Sequence, residues 1–291
     1  MYGMAGALRC RVVKRGKPKD FALHSFPCPL ALSIPMKPNQ VAAQLYTCRN
    51  SLTTSAGIAE TLKRLRAVGY RAVQASGLAP IPARELRAIL DGEGVVCCAT
   101  HERGADILER PEKVAERLDE LGCEVTAYPY PDGVDFGSSE SVQKLAQGLN
   151  RSGKVLSDAG KILCYHNHNH EFRKLNGKTI LETIYEATSP GTLQAELDTY
   201  WVQYGGGDVV EWCEKMKGRM PIIHLKDYMT NGENRHQMCE IGSGNLNFKR
   251  IVAAAEMAGC RWFAVEQDEC PGDPVDSLAQ SFEYIAENLL G

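Results

Sequence analysis

A chain of 291 residues with 44% hydrophobic content can bury one large core, and α/β barrels of this length fold as a single domain. A net charge of -3 and a pI near 6.2 provide no basic surface for a polyanion, which argues against nucleic acid as a partner. Eleven cysteines, an odd count with no CxxC pair, argue against a disulfide framework and fit reduced thiols in a cytoplasmic protein.

Residues 1–36 differ from the rest. Their 9–19 stretch is basic, and 26–36 is apolar but broken by Pro27, Pro29 and Pro35. Those prolines do not suit a signal peptide, so 1–36 is expected to be a loosely ordered N-terminal extension to a barrel domain over 37–291. No segment reaches the roughly 18 apolar residues of a spanning helix, so no membrane association is expected.

From residue 37 the chain alternates. The stretch 41–46 is strand-like, and 56–68 carries Ile58, Leu62, Leu65 and Val68 at helical spacing before Gly69, a stop signal. The same unit recurs as strands over 70–74, 95–99, 124–130, 162–166, 193–197, 222–225 and 262–265. The helices that follow them are expected over 83–90, 114–121, 142–159, 180–187, 209–216, 248–257 and 278–289. Eight βα units predict a (β/α)8 TIM barrel; a doubly wound sheet needs a phosphate-binding glycine turn after its first strand, and none follows Tyr46.

Two motifs are set aside. The segment 148–155 approaches a P-loop, but Val155 replaces the Ser/Thr that would hold magnesium, and the pattern around it is helical. Gly242-Ser243-Gly244 lacks the third glycine of a dinucleotide site and reads as a turn, with a backbone cradle for a substrate oxygen or phosphate as the alternative.

The chemistry lies at strand ends. Glu171, Asp198, His224 and Glu266 follow the fifth to eighth strands, and polar groups at the C-terminal ends of barrel strands converge on one face. Taken singly, each is more simply a solvated loop side chain or an ion-pair partner. Together, three carboxylates and one imidazole suit one divalent ion, Mn2+ first, with Mg2+, Co2+ and Zn2+ admitted. His101, His168, Gln44 and Gln74 stand near strand ends where they could bind substrate hydroxyls, and Trp201 could pack on the apolar face of a sugar. His166 or His170 is expected to support the ligands from behind.

The stretches Tyr-His-Asn-His-x-x-Glu-Phe (165–172), Glu-Leu-Asp-Thr-x-Trp (196–201), His-Leu-Lys-Asp (224–227), Glu-Ile-Gly-Ser-Gly (240–244) and Val-Glu-Gln-Asp (265–268) resemble the sugar phosphate isomerase/epimerase family of xylose isomerase-like TIM barrels. The resemblance runs from Pro38 to the C-terminus. It implies one divalent ion held by Glu171, Asp198, His224 and Glu266, with His168 or His170 as the alternative ligand at the fifth strand. It also implies a small sugar or sugar derivative as substrate and proton abstraction next to a carbonyl through a metal-stabilised enediolate. Glu171 and Glu266 are then the paired acid and base of an isomerase or epimerase, and Lys226 a proton donor to an alkoxide or an expelled hydroxyl, unless it is simply the salt-bridge partner of Asp227. A lyase or dehydratase acting on a keto-sugar, inosose or 3-keto-glycoside is the alternative on the same metal site. A related metal-dependent endonuclease would need more ligands and a basic groove. Homo-oligomerisation is left open.

Overall fold

The computed structural model describes residues 36–291; the expected extension, apart from Met36, lies outside the described residues. Met36 itself is fully buried in the core.

Eight parallel strands close into a barrel in chain order: Val41–Gln44, Ala72–Ala75, Val96–His101, Val125–Tyr128, Ile162–His166, Gln194–Asp198, Ile222–Leu225 and Trp262–Val265. Closure comes from the first strand pairing in parallel with the last, Val41 opposite Phe263. Side chains alternate across each strand, so every second residue faces the barrel axis. One set packs outward against the helices in the main apolar core, for example Val41, Ala43, Val73, Leu163, Leu197, Ile223 and Phe263. The other parity forms a separate small-residue cluster that includes Ala42, Ala72, Cys98, Cys164, Ile222 and Ala264. Two residues further along the same strands stand Gln44, Gln74, Thr100, His166, His224 and Glu266, so a polar layer lies on the apolar floor.

The expected helices form, several with longer ends. Thr54 caps Ser55–Val68 by accepting from the Gly57 backbone, and Asn247 caps Phe248–Met257 from Arg250. Ala83–Glu93 and Pro111–Leu121 each end on a left-handed glycine, Gly94 at φ 64° and Gly122 at φ 66°, a conformation that costs a Cβ-bearing residue more. The P-loop-like segment lies inside the helix Ser139–Asp158. A Cβ on its Gly153 would stand 1.8 Å from the Thr192 carbonyl oxygen, so glycine there serves close packing.

Features not expected are two short helices, Gly104–Glu109 and Thr199–Tyr204, and two hairpins, Lys174–Leu175 with Lys178–Thr179 and Asp227–Thr230 with His236–Cys239. The nine described cysteines are free. No described helix is long and apolar enough to cross a membrane.

Candidate metal centre and pocket

At the carboxyl ends of the strands, register fixes which side chains meet. Asp198 on the sixth strand stands opposite His224 on the seventh, and His224 opposite Ala264 on the eighth, two residues before Glu266. One ligand atom from each of His166, Asp198, His224 and Glu266 falls within 4.8 Å of the others, and all four residues are buried. Asp198 Oδ2 and His166 Nδ1 make no hydrogen bond, although Lys226 Nζ lies 3.4 Å from the first and Glu196 Oε1 3.3 Å from the second. The other Asp198 oxygen accepts from the Trp201 backbone at 2.9 Å, which fixes the carboxylate. A buried carboxylate oxygen and a buried ring nitrogen without hydrogen bonds retain lone pairs that a cation between them would satisfy. The residues present therefore fit a divalent ion.

Glu171 is elsewhere. Its carboxylate accepts from Tyr165 Oη at 2.8 Å and from the His168 backbone at 2.9 Å, and it groups with His168 and His170. The fifth strand thus contributes His166 to the cluster, where the sequence predicts Glu171 as ligand and His166 as its support. The physical reason is local: His166 ends the strand and points to the axis, whereas Glu171 sits in a one-turn 3-10 helix, His170–Phe172, that turns its side chain back under the loop.

A layer deeper is Glu196, which shares the parity of Asp198. Its Oε2 accepts from Gln74 Nε2 at 2.7 Å and its Oε1 lies 2.5 Å from His101 Nε2. Gln74 Oε1 in turn lies 2.7 Å from His224 Nε2, so one amide orients both the glutamate and the imidazole. Gln74 is fully occupied inside the barrel. Gln44 is also buried and accepts from the Tyr46 backbone, leaving Nε2 unpaired. The sequence reading does not single out Glu196; the period-2 alternation that places 196 and 198 on one face is the signal for it.

Lys226 is buried and closes the arrangement. Its Nζ lies 3.1 Å from Glu266 Oε2, 3.4 Å from Asp198 Oδ2 and 2.8 Å from Asp268 Oδ2, with the Trp201 ring 5.4 Å away. The alternative pairing of Lys226 with Asp227 does not form. Asp227 instead accepts from the backbone N–H groups of Tyr228, Gly242, Gly244 and Leu246, so the Gly242-Ser243-Gly244 turn is held by a carboxylate and offers no cradle to a ligand.

Electrostatics follow from burial and proximity. Burial disfavours charge on His224, yet Glu196 and Glu266 hold its pKa at about 10. Burial likewise opposes Glu266, but Lys226 and His224 keep it well below the usual carboxylate range. Burial pushes Asp198 up to about 6 against the pull of Lys226, and it lowers His166 to about 4 and His168 to about 2, so both imidazoles are neutral at physiological pH.

Above the cluster opens a cavity of about 520 Å³, with His101, His166, His168, Lys226 and Glu266 in its wall and Tyr130 and Arg49 nearer the mouth. Gln44, Gln74 and Trp201 are not among the lining residues. Trp201 packs beside His168 at 5.4 Å between ring centroids, which makes it a support for Lys226 and His168. A concave site with buried carboxylates, a buried ammonium and neutral imidazoles can bind a polyhydroxylated molecule and move a proton on it.

Residues 62–288 match the family model described as xylose isomerase-like TIM barrel. An inosose dehydratase of Geobacillus kaustophilus is 24% identical over 277 residues, covering 78% of this chain and 85% of that protein. One from Geobacillus thermodenitrificans is 26% identical over 167 residues, and there the match spans 55% of the relative's length and 52% of this chain. The crystal structure of a sugar phosphate isomerase/epimerase from Parabacteroides distasonis superposes with a TM-score of 0.75 at 22% identity, covering 91% of this chain and 100% of that one. With a closed eight-stranded parallel barrel, a polar centre at its carboxyl end and a family match over most of its length, the chain belongs to the xylose isomerase-like TIM barrel family.

Proposed function

We propose that the protein is a divalent-metal-dependent lyase that removes water from a small cyclic keto-polyol of the inosose kind, with the ion held by His166, Asp198, His224 and Glu266. Two imidazoles and two carboxylates suit Mn2+, Co2+ or Zn2+ better than Mg2+, which prefers all-oxygen surroundings, and Mn2+ remains the first choice. When bound, such an ion polarises a substrate carbonyl and acidifies the neighbouring C–H.

The residues divide the remaining work. Glu266, ionised and facing the cavity, takes the proton from the carbon next to the carbonyl. The electron pair left behind forms the new double bond as the C–O bond at the β-carbon breaks, and the departing hydroxyl takes a proton from the Lys226 ammonium to leave as water. Solvent restores both groups. His168, neutral in the cavity wall, accepts or donates to substrate hydroxyls, and His101 does so while tied to Glu196.

The observation that carries this reading is the separation of the two glutamates. A two-base epimerase needs a second carboxylate on the opposite face of the substrate, and Glu171, the candidate, is buried and bound to Tyr165. Glu266 beside Lys226 is a base next to an acid, which suits elimination. Similarity to inosose dehydratases supports the same choice. Isomerase or epimerase is the second reading, favoured by the likeness to the Parabacteroides distasonis protein. Metal-loaded protein incubated in D2O with ketoses, inososes and 3-keto-glycosides, followed by NMR, decides between them. Loss of water supports the dehydratase; solvent exchange or epimer formation without loss of water overturns it.

A further inference from the structure

The loop after the fifth strand gathers a second donor set that the proposed chemistry does not use in full: His168, His170 and Glu171, each offering one atom within 4.8 Å of the others. His168 Nδ1 is buried without a hydrogen-bond partner, and His170 Nε2, which makes no hydrogen bond either, faces the Glu171 carboxylate. The Glu171 carboxylate is already aimed there, with Oε1 3.2 Å from His170 Nε2, and is fixed from behind by Tyr165 Oη and the His168 backbone N–H. The two imidazoles lie parallel, 5.4 Å between centroids and 9° between planes, with Tyr130 edge-on to both. Parallel rings with unpaired nitrogens and an anchored carboxylate between aromatic walls are the parts of a site for one cation.

We propose that His168, His170 and Glu171 form a second metal site, separate from the His166, Asp198, His224 and Glu266 centre, for a borderline transition ion such as Zn2+ or Co2+. Two nitrogens and one oxygen select such an ion over Mg2+ or Ca2+, which favour oxygen donors. The carboxylate held from behind by Tyr165 is the kind of outer support that orients metal ligands. The position, beside a cavity-lining histidine, places the ion at the edge of the pocket.

The test is stoichiometry with the metal alone. Full-length protein stripped of metal is titrated calorimetrically with Co2+ and assayed for bound metal after gel filtration. Two equivalents are expected in the native chain and one in His170→Phe. Phenylalanine preserves the ring stacking against His168 and Phe136 but removes the nitrogen, so a packing role alone would leave the count unchanged. His170→Ala, at a side chain one-third exposed, checks the result in a second background. Asp198→Ala should retain the second equivalent and lose the first, so failure at either centre is read independently. A native chain that stops at one equivalent, or two equivalents retained in both His170 variants, overturns the proposal.

Discussion

Lys226 and Glu266 meet at the wall of the cavity, Nζ to Oε2 at 3.1 Å, and both side chains are almost wholly buried. An ammonium and a carboxylate in such contact are fixed in opposite protonation states, one an acid and the other a base.

Glu266→Gln should keep the fold and lose turnover, because the amide retains the shape but accepts no proton. The expected fall in kcat is at least the roughly 10² to 10⁴-fold typical of removing a general base. Steady-state assay beside far-UV circular dichroism checks it. A folded, metal-bound variant with native turnover would rule out a carboxylate base.

Lys226→Met separates elimination from epimerisation. In a dehydratase it should leave α-proton exchange detectable by NMR while product formation collapses; in an epimerase turnover should largely survive. The same change removes the cation facing Asp198, Glu266 and Asp268, and breaking such a buried pair costs about 3–5 kcal/mol. Thermal unfolding of the metal-free variant should therefore occur well below that of the native chain.

Mn2+ binding should depend on pH through Asp198. Its carboxyl must ionise to act as a ligand, and burial has raised its pKa to about 6. His224, whose pKa is held at about 10, must also give up its proton to act as a ligand, so affinity should already fall by up to about tenfold per pH unit above 6, and protonation of Asp198 should steepen that fall below 6, with protons released on binding. Calorimetry in buffers of different ionisation enthalpy reads both. A fall that did not steepen below pH 6 would remove Asp198 from the ligand set.

Gly153→Ala should destabilise, because the new methyl would stand 1.8 Å from a backbone oxygen that cannot swing away. Overpacking of this kind costs about 1–3 kcal/mol. Denaturant titration should show the lower midpoint.

A chain starting at Met36 should keep the barrel and its metal content, since all eight βα units follow that residue. Met36→Ala, by contrast, removes a fully buried side chain and should cost about 2–5 kcal/mol. Aggregation of the shortened chain would place part of the fold in residues 1–35.

The barrel was legible because each apolar run is bounded by glycine or a capping residue, and the fifth, seventh and eighth strands fall on the expected residues. The hairpins and the two six-residue helices inserted between those units were not, since pieces such as Lys174–Leu175 with Lys178–Thr179 are too short to show a period. Within the centre, Asp198, His224, Glu266 and Lys226 could be placed because each stands at a strand end with its direction fixed by alternation. Glu171 could not. It lies five residues beyond His166, and once the chain leaves the strand, parity no longer says where a side chain points. That the Gln74 amide bridges Glu196 and His224 is not visible in the sequence, because it depends on contacts 122 and 150 residues away.

Asp227 gathers the start of one hairpin strand and the turn that follows the other, so the path between them is closed by its carboxylate whatever the tip between Thr230 and His236 does. The tip is an exposed detour whose length is not felt at Lys226, one residue before the clamp. A peptide tag or fluorescent reporter spliced between Gly232 and Glu233 is therefore expected to leave the contacts of Lys226 unaltered, which makes this hairpin a handle for attaching a label to the protein.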